Sequence, residues 1–219
     1  MILAETPTTI HYIWRAHNHS FLLNSDDSKK RYLQLLAQYK KKYDIEIYGY
    51  AIMNNHFHAL MRVPSRSLWQ NFSRTINSQL AVFINKNSNR CGQVVMDRPK
   101  TIVLESDRDV LTVLRYIELN PLRAGIVKKL KNYKWSSFLH HVGEKIDDLI
   151  DACPAFDALG ASRKIRAAAY RKMFEIQSCL QDMARRRDFI DVHFIGSPGW
   201  IAEKVSRLRE MMRKKPPPE

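Results

Sequence analysis

Apolar residues that alternate with polar ones predict three strands near the start of the chain. The segments IHYIWRAH (residues 10–17), IEIYGYAI (45–52) and HFHALMRV (56–63) are rich in β-branched and aromatic residues, which favour extended backbone. The turn MNN joins the second segment to the third, and we expect the third strand to stop at Pro64.

Longer segments, in which apolar residues return every three or four positions, predict helices. These segments are residues 25–44, 67–88 and 107–121. We expect the last helix to begin at an N-cap formed by Ser106 or Asp107 and to end at Pro121. Residues 93–106 indicate a loop followed by a fourth strand.

The resulting order, βαββαβ with an extra helix, is typical of one fold class. We predict an α+β protein with a ferredoxin-like split βαβ unit, whose antiparallel sheet carries its helices on one face. Residues 1–143 would form this domain. Residues 144–219 consist mostly of helix-forming residues and end in a basic, proline-rich stretch, so we expect a helical, basic C-terminal extension.

The chain carries a large excess of positive charge. Among its 219 residues, 36 Lys and Arg outnumber 22 Asp and Glu, which gives a formal net charge of +14 and a pI near 9.8. A polyanionic partner, above all nucleic acid, is therefore favoured. A basic protein without such a partner is the alternative that charge alone leaves open.

The cysteines and the apolar runs bear on where the protein works. Three widely spaced cysteines, Cys91, Cys153 and Cys179, form neither a disulfide framework nor a CxxC zinc motif. No apolar run approaches the roughly 20 residues of a membrane span, and the first residues, MILAETPTTI, lack the pattern of a signal peptide. We expect a cytoplasmic, nucleoid-associated protein with no membrane partner.

His56 and His58 are the first candidates for chemistry. Because successive side chains of a strand point to opposite faces, these two histidines share one face, while Phe57 points to the core side. Two imidazoles in that position can hold one divalent ion. Taken alone, however, such a pair is more often two ordinary strand histidines.

Tyr116 and Asn120 are the second pair of candidates, in the segment LRYIELNPLRAG. They lie four residues apart and therefore on one face of a helix. A tyrosine hydroxyl can attack phosphorus, and an asparagine oxygen can be a hard ligand for a divalent metal. A helix tyrosine considered alone more often buries its ring and keeps its hydroxyl at the surface.

These motifs together resemble the REP-associated tyrosine transposases, which are relatives of the single-tyrosine HUH transposases of small insertion sequences. The resemblance spans about residues 10–141 and rests on the HFH strand, on RYIELNPLRAG and on the following YKWSS. It implies that the chain cuts and rejoins single-stranded DNA at hairpin-bearing repeats. In such proteins a tyrosine forms a 5′-phosphotyrosine intermediate.

The resemblance also implies a role for each candidate. His56 and His58 match the metal-binding pair, and Tyr116 matches the nucleophile. Asn120 matches a polar residue that helps to hold the ion, which is Mg²⁺ or Mn²⁺ in the family. Two imidazole ligands favour Mn²⁺ over Mg²⁺, because Mg²⁺ prefers oxygen ligands. Single-chain sites and sites shared across a dimer both occur in the family, and the REP-associated branch favours a monomer.

Basic and polar residues at two places are candidates for DNA contacts. One group closes the first strand, and the other lies on and after the tyrosine helix. The candidates are Arg15, His17, Asn18, Arg115, Arg123, Lys128, Lys129, Lys131 and Lys134. For any single one of them a solvated charged face is an equally good interpretation. Val94 stands where relatives often carry tryptophan, so no contact is carried over from that loop.

Two other classes of function fit part of the pattern. A non-catalytic ferredoxin-like nucleic-acid-binding protein would stack bases on the sheet, but it leaves the joint presence of the histidine pair and the tyrosine unexplained. An HxH metal hydrolase would need more His and Asp ligands than the chain offers. We therefore predict a metal-dependent endonuclease and strand transferase that acts on single-stranded DNA.

Overall fold

The computed structural model describes residues 6–175 and 187–213, and Cys179 lies outside them. The strands are β1 (Thr8–Ala16), β2 (Glu46–Ile52), β3 (His56–Val63), β4 (Val95–Leu104) and β5 (Phe194–Ile195). The helices are α1 (Asp26–Lys42), α2 (Arg66–Asn87), α3 (Asp107–Arg123), α4 (Phe138–His141), α5 (Pro154–Asp157), α6 (Arg163–Glu175) and α7 (Pro198–Arg213).

The described strands form one sheet in the order β2-β3-β1-β4-β5. β1 pairs antiparallel with β3 and with β4, and β2 pairs antiparallel with β3. β5 joins the edge of β4 in parallel. The first four strands thus have the order of a split βαβ unit, and the predicted α+β fold class is confirmed.

The sheet is covered on both faces. α1 and α2 pack on the face that carries Tyr12, Trp14 and Phe57. α3 packs on the opposite face, with Ile13 and Leu60. The two helices of the βαββαβ unit, α1 and α2, thus lie on one face as predicted, and the extra helix α3 lies on the other. Since α1 and α2 already bury the first face, the apolar side of α3 covers the face that they leave open.

α3 begins where the sequence predicts and ends two residues later than expected. The Ser106 side chain accepts a hydrogen bond from the backbone of Asp109, whose carboxylate accepts one from Ser106 in return, so the capping box forms. Pro121 does not stop the helix, which continues to Arg123. The proline removes the N–H that would pair with the carbonyl of Ile117, and the Asn120 side-chain amide donates to that carbonyl instead, at 3.0 Å.

Gly49 in β2 allows α3 to approach the sheet closely. A Cβ at this position would overlap the Leu114 side chain and lie 3.1 Å from Oγ of Ser137. Leu114 is fully buried, so it has little room to move aside. The missing side chain on the strand therefore sets how near the tyrosine helix can come.

Glu118 ties α3 to the segments that follow it. Its carboxylate is fully buried and accepts hydrogen bonds from Ser137 Oγ at 2.6 Å and Tyr170 Oη at 2.9 Å. His141 Nδ1 lies 2.7 Å from the same carboxylate. The motifs RYIELNP and YKWSS thus meet in space through Glu118 and Ser137, and a buried carboxylate with three partners fixes the rotation of α3 about its axis.

Described residues after 143 pack against the preceding part of the chain. Asp151 accepts a hydrogen bond from Lys40 Nζ at 2.7 Å and one from the backbone N–H of Ile47 at 2.8 Å. Phe156 and Tyr170 belong to the core under α3, and β5 extends the sheet. Hydrogen bonds, apolar packing and strand pairing therefore all connect the two sides of residue 143. The division into domains at this residue stays a prediction.

In the described part of the chain, no helix is both long and apolar enough to cross a bilayer. Cys91 is exposed and Cys153 is buried, and neither forms a disulfide. Burial raises the pKa of the Cys153 thiol to about 11, so this cysteine is a packing residue rather than a reactive thiol.

Candidate active site

The strand register brings His56 and His58 onto the face of the sheet that α3 covers. In the ladder between β1 and β3, Arg15 lies opposite His56 and Ile13 lies opposite His58. Residues directly opposite each other in a ladder share a face. Phe57 belongs to the core on the other face, as the period of a strand requires.

Tyr116 and Asn120 reach the same place from α3. Together with His56 and His58 they line one cavity of about 290 Å³. The ring centroids of His58 and Tyr116 are 6.2 Å apart, and those of His56 and His58 are 5.1 Å apart. Two pairs of residues that are far apart in the sequence thus face one another across a single cavity.

His58 is buried against a third histidine that sequence reasoning did not select. His11 of β1 is fully buried, and its Nε2 lies 2.9 Å from Nδ1 of His58. Burial lowers the pKa of His11 to about 3, and the hydrogen bond with the Phe189 backbone only partly opposes this shift. Burial, followed by the charges of His11 and His56, also lowers the pKa of His58. Both rings are therefore neutral at pH 7.

His56 is held by its neighbour in the chain. Its Nδ1 lies 2.7 Å from Oδ1 of Asn55. The Asn55 amide nitrogen donates to the carbonyl of His19 at 3.2 Å, and this bond decides which end of the amide faces the histidine. Since an amide oxygen accepts and does not donate, Nδ1 of His56 carries a proton.

Tyr116 is placed between a cation and an aromatic ring. The guanidinium carbon of Arg123 lies 3.7 Å from the centroid of the tyrosine ring, and Arg123 also donates a hydrogen bond to the carbonyl of Tyr116. The ring of Phe189 packs edge-on at a centroid distance of 5.0 Å. Tyr116 is 6% exposed, so contacts on both sides fix the orientation of its ring.

The side-chain amide nitrogen of Asn120 is hydrogen-bonded to the backbone of its own helix. Its amide nitrogen donates to the carbonyls of Tyr116 and Ile117, at 3.3 and 3.0 Å. These two hydrogen bonds fix the orientation of the amide group. Asn120 lines the cavity together with the two histidines, and its role as an oxygen ligand stays a prediction.

The donors in the cavity fit a divalent ion that is held by few protein ligands. Within residues 6–175 and 187–213, no group of three or more His, Cys, Asp or Glu side chains is suited to a metal. His56 and His58 are good donors for first-row divalent ions, and an amide oxygen suits Mg²⁺ or Mn²⁺. The remaining coordination positions would be open to water or to phosphate oxygens.

The predicted DNA-binding residues fall into four places, and the lysines after α3 occupy one of them. Arg15 and Arg123 line the cavity. His17 and Asn18 form the turn that follows β1, where Asn18 is exposed. Arg115 points away from the cavity, with its guanidinium 5.6 Å from the Phe174 ring.

The predicted lysines after α3 lie at the surface. They are Lys128, Lys129, Lys131 and Lys134, and all four are exposed. Lys134 pairs with Asp26 at 2.6 Å. Trp135 beside it is buried in the core of α1 and α2, so this ring packs in the protein. For the lysines and for Arg115, a contact with DNA stays a prediction.

Sequence reasoning missed residues that complete the cavity wall. His11 shares a face of β1 with Ile13 and Arg15 because side chains alternate along a strand, and this alternation is a signal that it lies on the side of the site. The cavity is also lined by His19, Asn55 and Ile190. Asn55 donates a hydrogen bond to the carbonyl of His19. Nothing local in the sequence connects Ile190 with the histidine strand, because their contact is made through the tertiary fold.

A second cavity, of about 740 Å³, lies between α2, β4 and residues 191–193. Trp69 and Asn77 of α2 belong to its wall, which puts it on the sheet face opposite the histidines. It contains none of the predicted metal ligands and no tyrosine, so the smaller cavity is the site for the chemistry.

Comparison with known proteins agrees with the resemblance. The model of the family described as "Transposase IS200 like" matches residues 5–120, which is more than half of the chain. The chain therefore belongs to the IS200-like transposase family. The matched region includes the histidine pair and ends at Asn120.

A solved structure gives the fold an independent comparison. It is the structure of the REP-associated tyrosine transposase bound to a REP hairpin, with 16% sequence identity and a TM-score of 0.51. The match covers 68% of this chain and 87% of that chain. At this identity the likeness shows the fold alone. No curated protein matches the chain.

Proposed function

We propose that this transposase is a metal-dependent single-stranded DNA endonuclease and strand transferase that uses Tyr116 as its nucleophile. The observation that carries the proposal is the meeting of Tyr116 with His56 and His58 in one cavity, in a chain of the IS200-like transposase family. A tyrosine nucleophile beside two imidazoles that can hold a metal ion is a set of groups suited to phosphodiester transfer through a covalent intermediate.

The cleavage step joins the tyrosine to DNA. The hydroxyl oxygen of Tyr116 forms a bond to phosphorus, and the bond from phosphorus to the 3′ oxygen breaks. The tyrosine loses its proton, and the leaving oxygen takes one up to become a 3′-hydroxyl. The product is a 5′-phosphotyrosine, and the attack of a 3′-hydroxyl on it reverses the step without an external energy source.

Three side chains would organise the metal. His56 and His58 would bind it through Nε2, and the amide oxygen of Asn120 would be the third protein ligand. A bound Mg²⁺ or Mn²⁺ polarises a phosphate oxygen and offsets the charge that develops on phosphorus. Arg123, fixed above the Tyr116 ring, and Arg15, which lines the same cavity, add positive charge where the phosphate must lie.

The proposed substrate is single-stranded DNA that carries hairpin repeats. The similar solved protein is bound to a REP hairpin, and the net charge of +14 favours a polyanion. Tyr116 meets His56 and His58 of the same chain in one cavity, which supports a site that a single chain can complete, and we propose a monomer. An enzyme with such a substrate would act at the nucleoid.

The experiment that tests the proposal detects a covalent adduct. The full chain is incubated with labelled oligonucleotides that carry a hairpin and single-stranded flanks, with Mn²⁺ or Mg²⁺, and is then run on a denaturing gel. We expect a protein–DNA adduct and a fragment that ends in a 3′-hydroxyl. Tyr116→Phe should abolish the adduct, and Tyr39→Phe, on the opposite face of the sheet, should retain it.

Two outcomes would contradict the proposal. One is an adduct that persists in Tyr116→Phe. The other is binding of the oligonucleotides by the wild-type protein without an adduct in either metal, which would favour the non-catalytic nucleic-acid-binding protein instead.

A further inference from the structure

His11 connects a late segment of the chain to His58 through both of its ring nitrogens. Its Nδ1 lies 3.1 Å from the carbonyl oxygen of Phe189, and its Nε2 lies 2.9 Å from Nδ1 of His58. The rings of the two histidines stack, with centroids 5.1 Å apart and an angle of 27° between their planes. The chemistry proposed for Tyr116 makes no direct use of His11.

The direction of these hydrogen bonds follows from their partners. A carbonyl oxygen only accepts, so the proton of His11 is on Nδ1 and is donated to Phe189. A second proton on the fully buried His11 ring is disfavoured, because these hydrogen bonds reach a carbonyl and an imidazole rather than a carboxylate. His11 Nε2 is then an acceptor, and His58 Nδ1 donates to it.

This direction decides which nitrogen of His58 can bind a metal. A neutral imidazole with its proton on Nδ1 has its lone pair on Nε2, and only an unprotonated nitrogen is a ligand. Nδ1 of His56 also carries a proton, because it faces the Asn55 oxygen. Both histidines are therefore set as Nε2 donors before an ion arrives, each by a different neighbour.

We propose that His11 is a positioning residue that selects the Nδ1–H tautomer of His58, and that the Phe189 carbonyl selects the tautomer of His11. The inference rests on the proposed metal site and names a residue that tunes it. It also gives the C-terminal extension a part in the site. Phe189 contacts Tyr116 with its ring and His11 with its backbone, so one residue of the extension touches both the nucleophile and the support of a metal ligand.

A nuclear magnetic resonance experiment on the metal-free wild-type protein tests the tautomer directly. Long-range ¹H–¹⁵N spectra distinguish a histidine protonated on Nδ1 from one protonated on Nε2, and His58→Gln identifies the His58 signals. We expect the Nδ1–H form of both His11 and His58. A His58 signal of the Nε2–H form would overturn the proposal, whatever the activity of the protein.

Metal affinity tests the consequence. Binding of Mn²⁺ is measured by the loss of the free-ion signal in electron paramagnetic resonance, for the full chain without DNA. We expect His11→Phe to weaken Mn²⁺ binding on the order of 10- to 100-fold, as loss of an outer-shell partner does. His11→Gln should keep most of the affinity, since an amide can accept from His58 and donate to the Phe189 carbonyl. His193→Gln, at an exposed histidine, is the control without effect.

The outcomes separate this inference from the proposed function. Equal Mn²⁺ affinity in the wild-type protein and His11→Phe would overturn the role of His11 and leave the proposed function standing. An equal loss in the Gln and Phe variants would also overturn it, because hydrogen bonding would then not explain the loss. A wild-type protein that binds no Mn²⁺ would remove the metal site and this inference together. If His11→Phe does not fold, the His11→Gln affinity and the wild-type spectrum decide.

Discussion

Arg123 shows how a single residue holds the proposed nucleophile in place. Its guanidinium lies 3.7 Å from the centre of the Tyr116 ring and donates to the carbonyl of the same residue. The planar group both stacks and donates, which an ammonium group does less well. Arg123 is therefore expected to control the ring of Tyr116 as well as the charge of the cavity.

We expect Arg123→Lys to keep the net charge and still to lower the rate of adduct formation. The loss should be on the order of tenfold, because a stacked cation is worth about 1–2 kcal/mol at a partly buried site. The measurement is the initial rate of the covalent adduct on a hairpin oligonucleotide. Arg115→Lys is the matched control in the same helix, and it should have little effect because Arg115 packs against Phe174. An equal loss in both variants would mean that general DNA binding, and not the position of Tyr116, is disturbed.

At the scale of elements, the position of α3 is set by features on three sides. The capping box at Ser106 fixes where the helix starts, and the buried Glu118 fixes its rotation. Gly49 sets its distance from the sheet, since any side chain there meets Leu114. Together, the capping box, the buried carboxylate and the glycine place Tyr116 beside the histidines.

Gly49→Ala should therefore displace α3 and disturb the cavity. We expect a loss of about 1–3 kcal/mol in the free energy of unfolding, as for overpacking of a buried site, together with weaker adduct formation. Urea denaturation followed by circular dichroism measures the first. Gly199→Ala in α7, where a Cβ meets nothing within 4 Å, is the control and should be neutral or stabilising. A stable and fully active Gly49→Ala would show that α3 does not depend on this close approach.

The elements differ in how well the sequence predicts them. The third strand was predicted over residues 56–63 and is found at His56–Val63, because a turn and Pro64 mark its ends. The shared face of His56 and His58 follows from the period of a strand alone. The helical pattern of α3 does not by itself predict which side of the sheet the helix covers, since it shows which face of α3 is apolar but not which face of the sheet it meets.

The candidate site was predictable where its signals are local. The spacing of Tyr116 and Asn120 and the alternation of the histidines are read directly from neighbouring residues. The contacts of His11 with His58 and Phe189 span 47 and 178 positions, and no local pattern indicates them. The contacts that position the predicted metal ligands therefore depend on the tertiary fold.

At the scale of the whole molecule, buried neutral histidines couple stability to pH. Burial lowers the pKa of His11 to about 3 and that of His140 to about 4. In the unfolded chain a histidine has a pKa near 6.5. As the pH falls through that value, the unfolded state binds protons that the folded state does not, so stability is full above about pH 6.5 and is lost below it.

We expect the urea concentration at the unfolding midpoint of the metal-free protein to decrease as the pH is lowered from 7 to 5. Well below pH 6.5 the fully buried His11 alone contributes a slope of up to about 1.4 kcal/mol per pH unit. His11→Gln removes this group and should show a shallower dependence over the same range. Identical slopes in the two proteins, or a midpoint that does not change with pH, would contradict the assignment of His11 as neutral.

The hydrogen bond between His11 and Phe189 has a consequence for the order in which the chain is made. Residues with sequence numbers up to 123 contain the tyrosine, the histidine pair and Asn120, yet the carbonyl that orients His11 is supplied only by residue 189. A nascent chain on the ribosome therefore contains Tyr116, the proposed nucleophile, before the segment that completes its surroundings has been synthesised. The proposed cleavage site thus acquires its full set of contacts only after residue 189 has been synthesised.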